Sequence, residues 1–363
     1  MKILLVSTLK RKVTSDNFAS RSRIIYQLAE GLVNKGHDVS LLGTADSKIP
    51  GVKIIPVIEK GWVDLPKAEN EFLRNTAFLM ELTKKIIEVQ GDFDVIHNHT
   101  YPDFFPSIIE DKLQIPMVTT LHALYDNYMD DILSLYKNVN YVALSEGYKK
   151  KYKKGKIYDV VYNGVDTDLY SYKEKKDDYL FWLGRMPKAK NKNGDFLDPK
   201  GVKWAIKLAQ ETGQKLKLYA AVEDRDFFIK DVKPHLNKDI SWVGDVSAEQ
   251  SLSIEQVVSL MQNAKAFLMT INQEEPFGLV MAEAMSCGTP VIAFDRGSVK
   301  EIVVDGKTGF VVDYHDGVDG LKAALKKIDT IHPLDCKRHV EENFSVKKMI
   351  ENYESLYQGL VRK

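Results

Sequence analysis

The chain is poor in cysteine, with two in 363 residues. That excludes a disulfide framework and fits a reducing, cytosolic setting. Cys287, just ahead of Gly288, reads as a small buried apolar residue. Neither sign of charge is in excess, since Lys+Arg and Asp+Glu both number 51. Nothing global therefore points to nucleic acid. No apolar run approaches the roughly 20 residues that span a bilayer. The apolar start, residues 1–7, is too short for a signal peptide and reads as a first buried strand. The turn after it, residues 7–22, contains no glycine. The Gly-x-Gly-x-x-Gly fingerprint is thus missing, which argues against a nicotinamide or flavin cofactor. There is no internal repeat and no low-complexity tract.

What is present suits a globular enzyme of two domains: 363 residues, 44% apolar and 28% charged. Strand-like runs fall at residues 2–7, 38–42, 52–57, 94–97, 117–121, 141–144 and 158–162. Helical periods at 24–33 and 72–89 separate some of them. After a charged stretch at 166–178 the alternation restarts, with strands at 179–183, 216–221, 240–243, 266–270, 291–294 and 310–312. Helices at 202–211 and 253–262 lie between these strands, and an amphipathic segment at 345–361 has none after it. Alternation of this kind predicts parallel sheets covered on both faces. Ligands of such sheets bind at the carboxyl ends of the strands. The basic run from Lys149 to Lys156 is expected to be a solvated helix face, with an anionic membrane surface or acceptor as the functional alternative.

The most informative stretch is Asn272 to Gly288, in which Glu275 and Glu283 stand eight positions apart around Pro276-Phe277-Gly278. Were the whole span helical, the two acids would lie ~12 Å apart, about the length of a sugar–diphosphate–ribose chain. A helix N-terminus between them would offer free N–H groups to a diphosphate. Thr289-Pro290 and a strand-like run follow. Either glutamate alone would pass as a solvated side chain on an amphipathic helix. The whole string with its flanks would not.

That string, Glu-Pro-Phe-Gly with its second glutamate and the trailing Gly-Thr-Pro-Val-Ile-Ala, resembles the signature of retaining glycosyltransferases of family 4. The resemblance spans nearly all the chain and is strongest from Tyr179 to Val312. It implies the α/β GT-B fold: two Rossmann-like domains whose parallel sheets face a central cleft. The expected boundaries are 1–165 on the acceptor side and 170–344 on the donor side, with residues 345–363 packing back on the first domain. Asn163-Gly164-Val165-Asp166 looks like the family's hinge.

The resemblance also assigns residues. Glu275 would sit by the transferred sugar, and Glu283 would hold the ribose hydroxyls. Phe277, Gly278 and Leu279 would line the donor, with Val243 and Val246 near the base. Arg185 after Gly184, and Lys200 before Gly201, match the family's cation pair on the diphosphate. Fixed cations there stabilise a leaving group whose negative charge grows in the transition state. Residues 186–199 are a longer insertion than expected, a flap or an acceptor element. His122 would face the sugar, with His97 and His99 lining the cleft. A metal held by these histidines is the weaker reading, because no third ligand has a metal-site spacing. Where many relatives carry Gly-Gly, this chain has Ala19-Ser20, so Ser20 and Arg21 stand in a departing acceptor loop. Its basic residues (Lys10, Arg11, Lys12, Arg21, Arg23) suit an anionic acceptor or are merely exposed charges. The Gly297–Ser298 turn is expected to face the cleft.

One rival is a metal site at Asp224-Arg225-Asp226, or at Asp92-Phe93-Asp94, on the pattern of the other sugar-transferase fold. The Arg185 and Lys200 pair makes a metal redundant. The expectation is a cytoplasmic hexosyltransferase, with possible contact to the inner membrane face. It would use a UDP- or GDP-sugar and an unidentified acceptor, with no metal and no cofactor. Other GT-B activities, a phosphorylase or a nucleotide-sugar epimerase, stay open, as does a non-catalytic sugar-nucleotide binder.

Overall fold

The computed structural model describes residues 1–17, 19–123, 128–248 and 251–362. The chain divides into two compact units, Met1–Gly164 with Val346–Lys363, and Val165–Ser345.

The first unit holds a seven-stranded, wholly parallel sheet. Its strands are β1 (Lys2–Val6), β2 (Asp38–Thr44), β3 (Lys53–Ile58), β4 (Val95–Asn98), β5 (Met117–Thr120), β6 (Val139–Ala143) and β7 (Ile157–Val160). Their order is β3-β2-β1-β4-β5-β6-β7. The strand sequence doubles back between β1 and β4, which makes the carboxyl ends of those strands the switch point. β1 carries four successive buried residues, Ile3 to Val6. Such unbroken apolar runs are what a sheet covered on both faces requires.

The last helix, Val346–Val361, belongs to this unit. It packs on helix Ser20–Asn34 so closely that a Cβ at Gly31 would meet Ile350 Cδ1 at 2.0 Å. Glu354 accepts hydrogen bonds from Lys35 Nζ at 2.6 Å and lies 2.9 Å from His37 Nε2. Met349, Tyr353 and Tyr357 are buried.

The second unit repeats the plan with six parallel strands: β8 (Leu180–Met186), β9 (Leu216–Val222), β10 (Ile240–Trp242), β11 (Ala266–Met269), β12 (Val291–Phe294) and β13 (Gly309–Val312). The order β10-β9-β8-β11-β12-β13 puts the switch point between β8 and β11. Helix Ile254–Asn263 begins with a full capping box, Ser253 with Gln256.

Two expectations need correcting. The basic run is not a helix face: the helix there, Glu146–Lys149, ends as the run begins. Asp130 is the reason. Its carboxylate accepts the backbone N–H groups of Lys153, Lys154 and Gly155 at 2.8–3.0 Å, folding the run into a pinned turn. The helix after Glu275 spans only Leu279–Ser286, so the all-helical spacing of the two glutamates does not hold. Pro276 and Gly278 break the segment into a loop first.

Candidate active site

Each unit carries a polar cluster at its own switch point. In the second unit, β8 ends with Gly184, Arg185 and Met186, and the chain then forms the 186–199 segment. That segment is a small hairpin, bridged between Lys190 and Phe196, with Phe196 packed on Phe227. Its end is fixed by Asp198, whose carboxylate accepts the N–H groups of Gly201, Val202 and Lys203 at 2.8–3.1 Å. Burial raises the Asp198 carboxyl above its ordinary range, and those N–H groups oppose the shift. Gly201 has φ 72°, and a Cβ there would stand 1.5 Å from the Thr270 carbonyl oxygen. Only glycine allows this approach to the end of β11.

Lys200, locked between Asp198 and Gly201, places Nζ 2.8 Å from Glu275 Oε2. Both side chains are largely buried, at 24% and 16% exposure, so the charges are poorly screened. Gly297 and Ser298 hold the loop that carries Glu275. The Ser298 N–H donates to the Glu275 carbonyl at 3.0 Å, and its hydroxyl donates to the Phe277 carbonyl at 2.7 Å. A Cβ at Gly297 would fall 2.3 Å from the Glu275 carbonyl oxygen. Ser298 is fully buried and clamps the loop from beneath, while Gly297 is half-buried.

Gly278 adopts φ 80° ahead of helix Leu279–Ser286, and Glu283 lies buried within that helix. The Phe277 ring is buried against Phe344, with centroids 5.7 Å apart. It anchors the loop. Arg185 is exposed, and its nearest carboxylate is Glu223 at 3.4 Å. Val243 continues β10 by donating to the Leu218 carbonyl at 2.9 Å, while Val246 lies in the loop beyond and is half-buried. Of the Asp-x-Asp pair, Asp224 is occupied as a helix cap, accepting the Phe227 N–H at 3.1 Å. Asp94, of the other pair, accepts the Lys2 N–H at 2.7 Å. Among the described residues no cluster of three or more His, Cys, Asp or Glu is arranged to hold a metal.

In the first unit, three histidines at the ends of β4 and β5 form a chain. His97 Nδ1 is 3.2 Å from His99 Nε2, and His99 Nδ1 is 2.8 Å from His122 Nε2. Here the cleft-lining expectation for His97 and His99 is corrected: both have zero exposure. Helix Val346–Val361 covers His97, with the Tyr357 hydroxyl 2.5 Å from its Nδ1. His122 is half-buried and forms the accessible end. Burial pushes all three imidazoles down, His99 to about 3, with the Arg21 charge adding to the shift in His99 and His122. They are neutral around pH 7.

Arg21 is likewise not a loop charge. It sits in the first turn of helix Ser20–Asn34, 2.6 Å from Asp103 Oδ1, and also donates to the Thr100 carbonyl. Asp103 is fully buried, so its carboxylate demands such a cation. Burial raises the Asp103 carboxyl, and Arg21 with the N–H groups of Ala123 and His122 opposes this. Ser20 is exposed at the helix start. Sequence reasoning missed Asp103, Asp198, Thr120, Tyr353 and Tyr357. Only Asp198, three residues ahead of a helix-opening glycine, carried a local signal.

Comparison with known proteins matches two family models to the two halves: "Glycosyltransferase Family 4" over residues 22–169 and "Glycosyl transferases group 1" over residues 194–336. A phosphatidyl-myo-inositol mannosyltransferase of Mycolicibacterium smegmatis is 28% identical over 83% of this chain and 78% of its own. The fold is similar to that of sucrose-phosphate synthase from Thermosynechococcus elongatus, with TM-score 0.77 at 17% identity over 100% and 99% of the two chains. It is also similar to Anabaena HepE crystallised with UDP and glucose, with TM-score 0.71 at 16% identity over 99% and 100%.

Proposed function

Since the chain belongs to the glycosyltransferases of the GT-B fold and family 4 type, we propose that it transfers a hexose from a UDP- or GDP-linked sugar to an acceptor hydroxyl. The reaction retains the anomeric configuration and uses no metal ion. The observation that carries this is the Lys200–Glu275 pair beside the N-terminus of helix Leu279–Ser286. A diphosphate suits the lysine and the helix N–H groups. A carboxylate suits the positive character that builds on the sugar ring.

In the reaction, the bond between the sugar's anomeric carbon and the diphosphate oxygen breaks, and its electron pair leaves with the phosphate. Lys200 and Arg185 stabilise that charge. The acceptor oxygen attacks from the same face and passes its proton to the departing phosphate oxygen. Glu283 accepts hydrogen bonds from the ribose hydroxyls, and His122 holds a hydroxyl of the sugar. The bound UDP and glucose of Anabaena HepE support the nucleotide-sugar class of donor. The mannosyl activity named for the mycobacterial relative leaves a GDP-sugar open.

The test is incubation with UDP- and GDP-hexoses and an acceptor panel in the presence of chelator, with the product anomer read by NMR. Turnover with retained configuration is expected. An inverted product, or activity lost to chelator and restored by magnesium or manganese, would overturn the reading.

A further inference from the structure

In the first unit, one hydrogen-bonded series joins the last helix to the accessible imidazole. It runs from the Tyr357 hydroxyl to His97, from His97 to His99, and from His99 to His122, at 2.5, 3.2 and 2.8 Å. A branch leaves His97 Nε2 for Thr120 Oγ1 at 2.8 Å, and that oxygen lies 2.8 Å from the Tyr353 hydroxyl. We propose that Tyr357 is a positioning residue that fixes His122 as its Nε2–H tautomer, leaving the Nδ1 lone pair to accept a hydrogen bond from a hydroxyl of the bound sugar. The last clause rests on the function proposed above. The tautomer does not.

The assignment follows from one proton per neutral ring. Tyr357 has zero exposure, and burial raises its phenol well above the ordinary range, so it keeps its proton. A buried O–H must donate, and here the partner is His97 Nδ1. That nitrogen is therefore bare, and the His97 proton sits on Nε2, donated to Thr120. His99 Nε2 faces the same lone pair, and a second lone pair there would repel it. His99 thus carries its proton on Nε2 and presents a bare Nδ1. His122 Nε2, 2.8 Å from that bare nitrogen, must be the donor. Its own Nδ1 is then left as an acceptor.

Removing the phenol oxygen releases the constraint. His97 is then free to place its proton on Nδ1 and donate to His99 Nε2, while the Thr120 hydroxyl donates to His97 Nε2. The series reverses, and His122 is left as its Nδ1–H tautomer, a donor where an acceptor is needed. The change is transmitted through three rings without altering the shape of the site.

The experiment is long-range nitrogen–proton NMR of histidine-labelled protein, wild type and Tyr357→Phe, at pH 7. The wild type is expected to show His122 as Nε2–H, and the variant a substantial Nδ1–H population. In steady-state kinetics the variant should lose roughly tenfold or more in kcat, with donor KM and diphosphate affinity within about twofold. A wild-type His122 protonated on Nδ1 overturns the proposal, whether or not the variant folds. So does a folded Tyr357→Phe protein whose His122 tautomer is unchanged. If no donor is turned over, the spectra still decide the tautomer, so failure of the functional reading is separately visible.

Discussion

Lys200 Nζ and Glu275 Oε2 stand 2.8 Å apart, so each neutralises the charge the other is proposed to offer a substrate. A diphosphate must therefore compete with Glu275 for the lysine. Glu275→Gln, which keeps the shape and removes the charge, should tighten binding of free nucleoside diphosphate a few-fold while lowering kcat by roughly 100-fold. Lys200→Ala should weaken the same binding. Calorimetry with UDP and GDP, together with kinetics, decides. A Glu275→Gln enzyme with wild-type kcat would remove Glu275 from the chemistry.

Glu283 should fail differently. Its proposed hydrogen bonds to ribose exist in both ground and transition states. Glu283→Ala should cost about 1.5–3 kcal/mol of donor binding. KM should rise more than kcat falls. An unchanged KM would refute the ribose role.

The histidine chain makes the first unit sensitive to acid. These rings have folded-state values below the ordinary 6.5, so the unfolded chain binds more protons as pH falls past 6.5. Stability is then lost progressively from about pH 6.5 downward, toward the folded-state values. Asp103, raised, acts in the opposite sense but is one group against three. Thermal unfolding between pH 7.5 and 4.5 should show a falling midpoint, with a flatter dependence in His99→Asn. A midpoint constant over that range would contradict the buried, neutral assignment.

Gly201→Ala is expected to be severe, because its Cβ would overlap the Thr270 carbonyl oxygen and φ is 72°. A loss of about 3 kcal/mol or more in unfolding free energy is anticipated. Lys200 would be displaced with it. Denaturant titration against a control at Gly213, which has φ 69° but nothing within 4 Å of a Cβ, separates the overlap from the dihedral strain. Equal losses at both positions would show that the close approach is not the cause.

The strands were legible because parallel strands, buried on both faces, appear as short continuous apolar runs. The run at 291–294 coincides with β12 residue for residue, and β11 stops one residue short of the run at 266–270. The Glu275 to Gly288 segment announced itself through local composition. What escaped notice was non-local. His97 looked like a cleft residue because nothing near it in sequence predicts Tyr357, 260 positions later, lying over its ring. Arg21 looked like loop charge because Asp103, its partner, is 82 positions away and has no periodicity to mark it. The lysine run departs from a helix for the same reason, since Asp130 shapes it from outside. Periodicity reports which face is apolar, and says little about which distant polar groups meet there.

The chain's path also dictates an order of assembly during synthesis. Residues 165–345 form a continuous unit, all of it made before helix Val346–Val361. The first unit cannot close until Val346–Val361 emerges, although its sheet strands were made first. Until then Gly31 has no Ile350 against it, and His97 has no tyrosine over its ring. The histidine chain therefore takes its final form only after the lysine–glutamate pair already can.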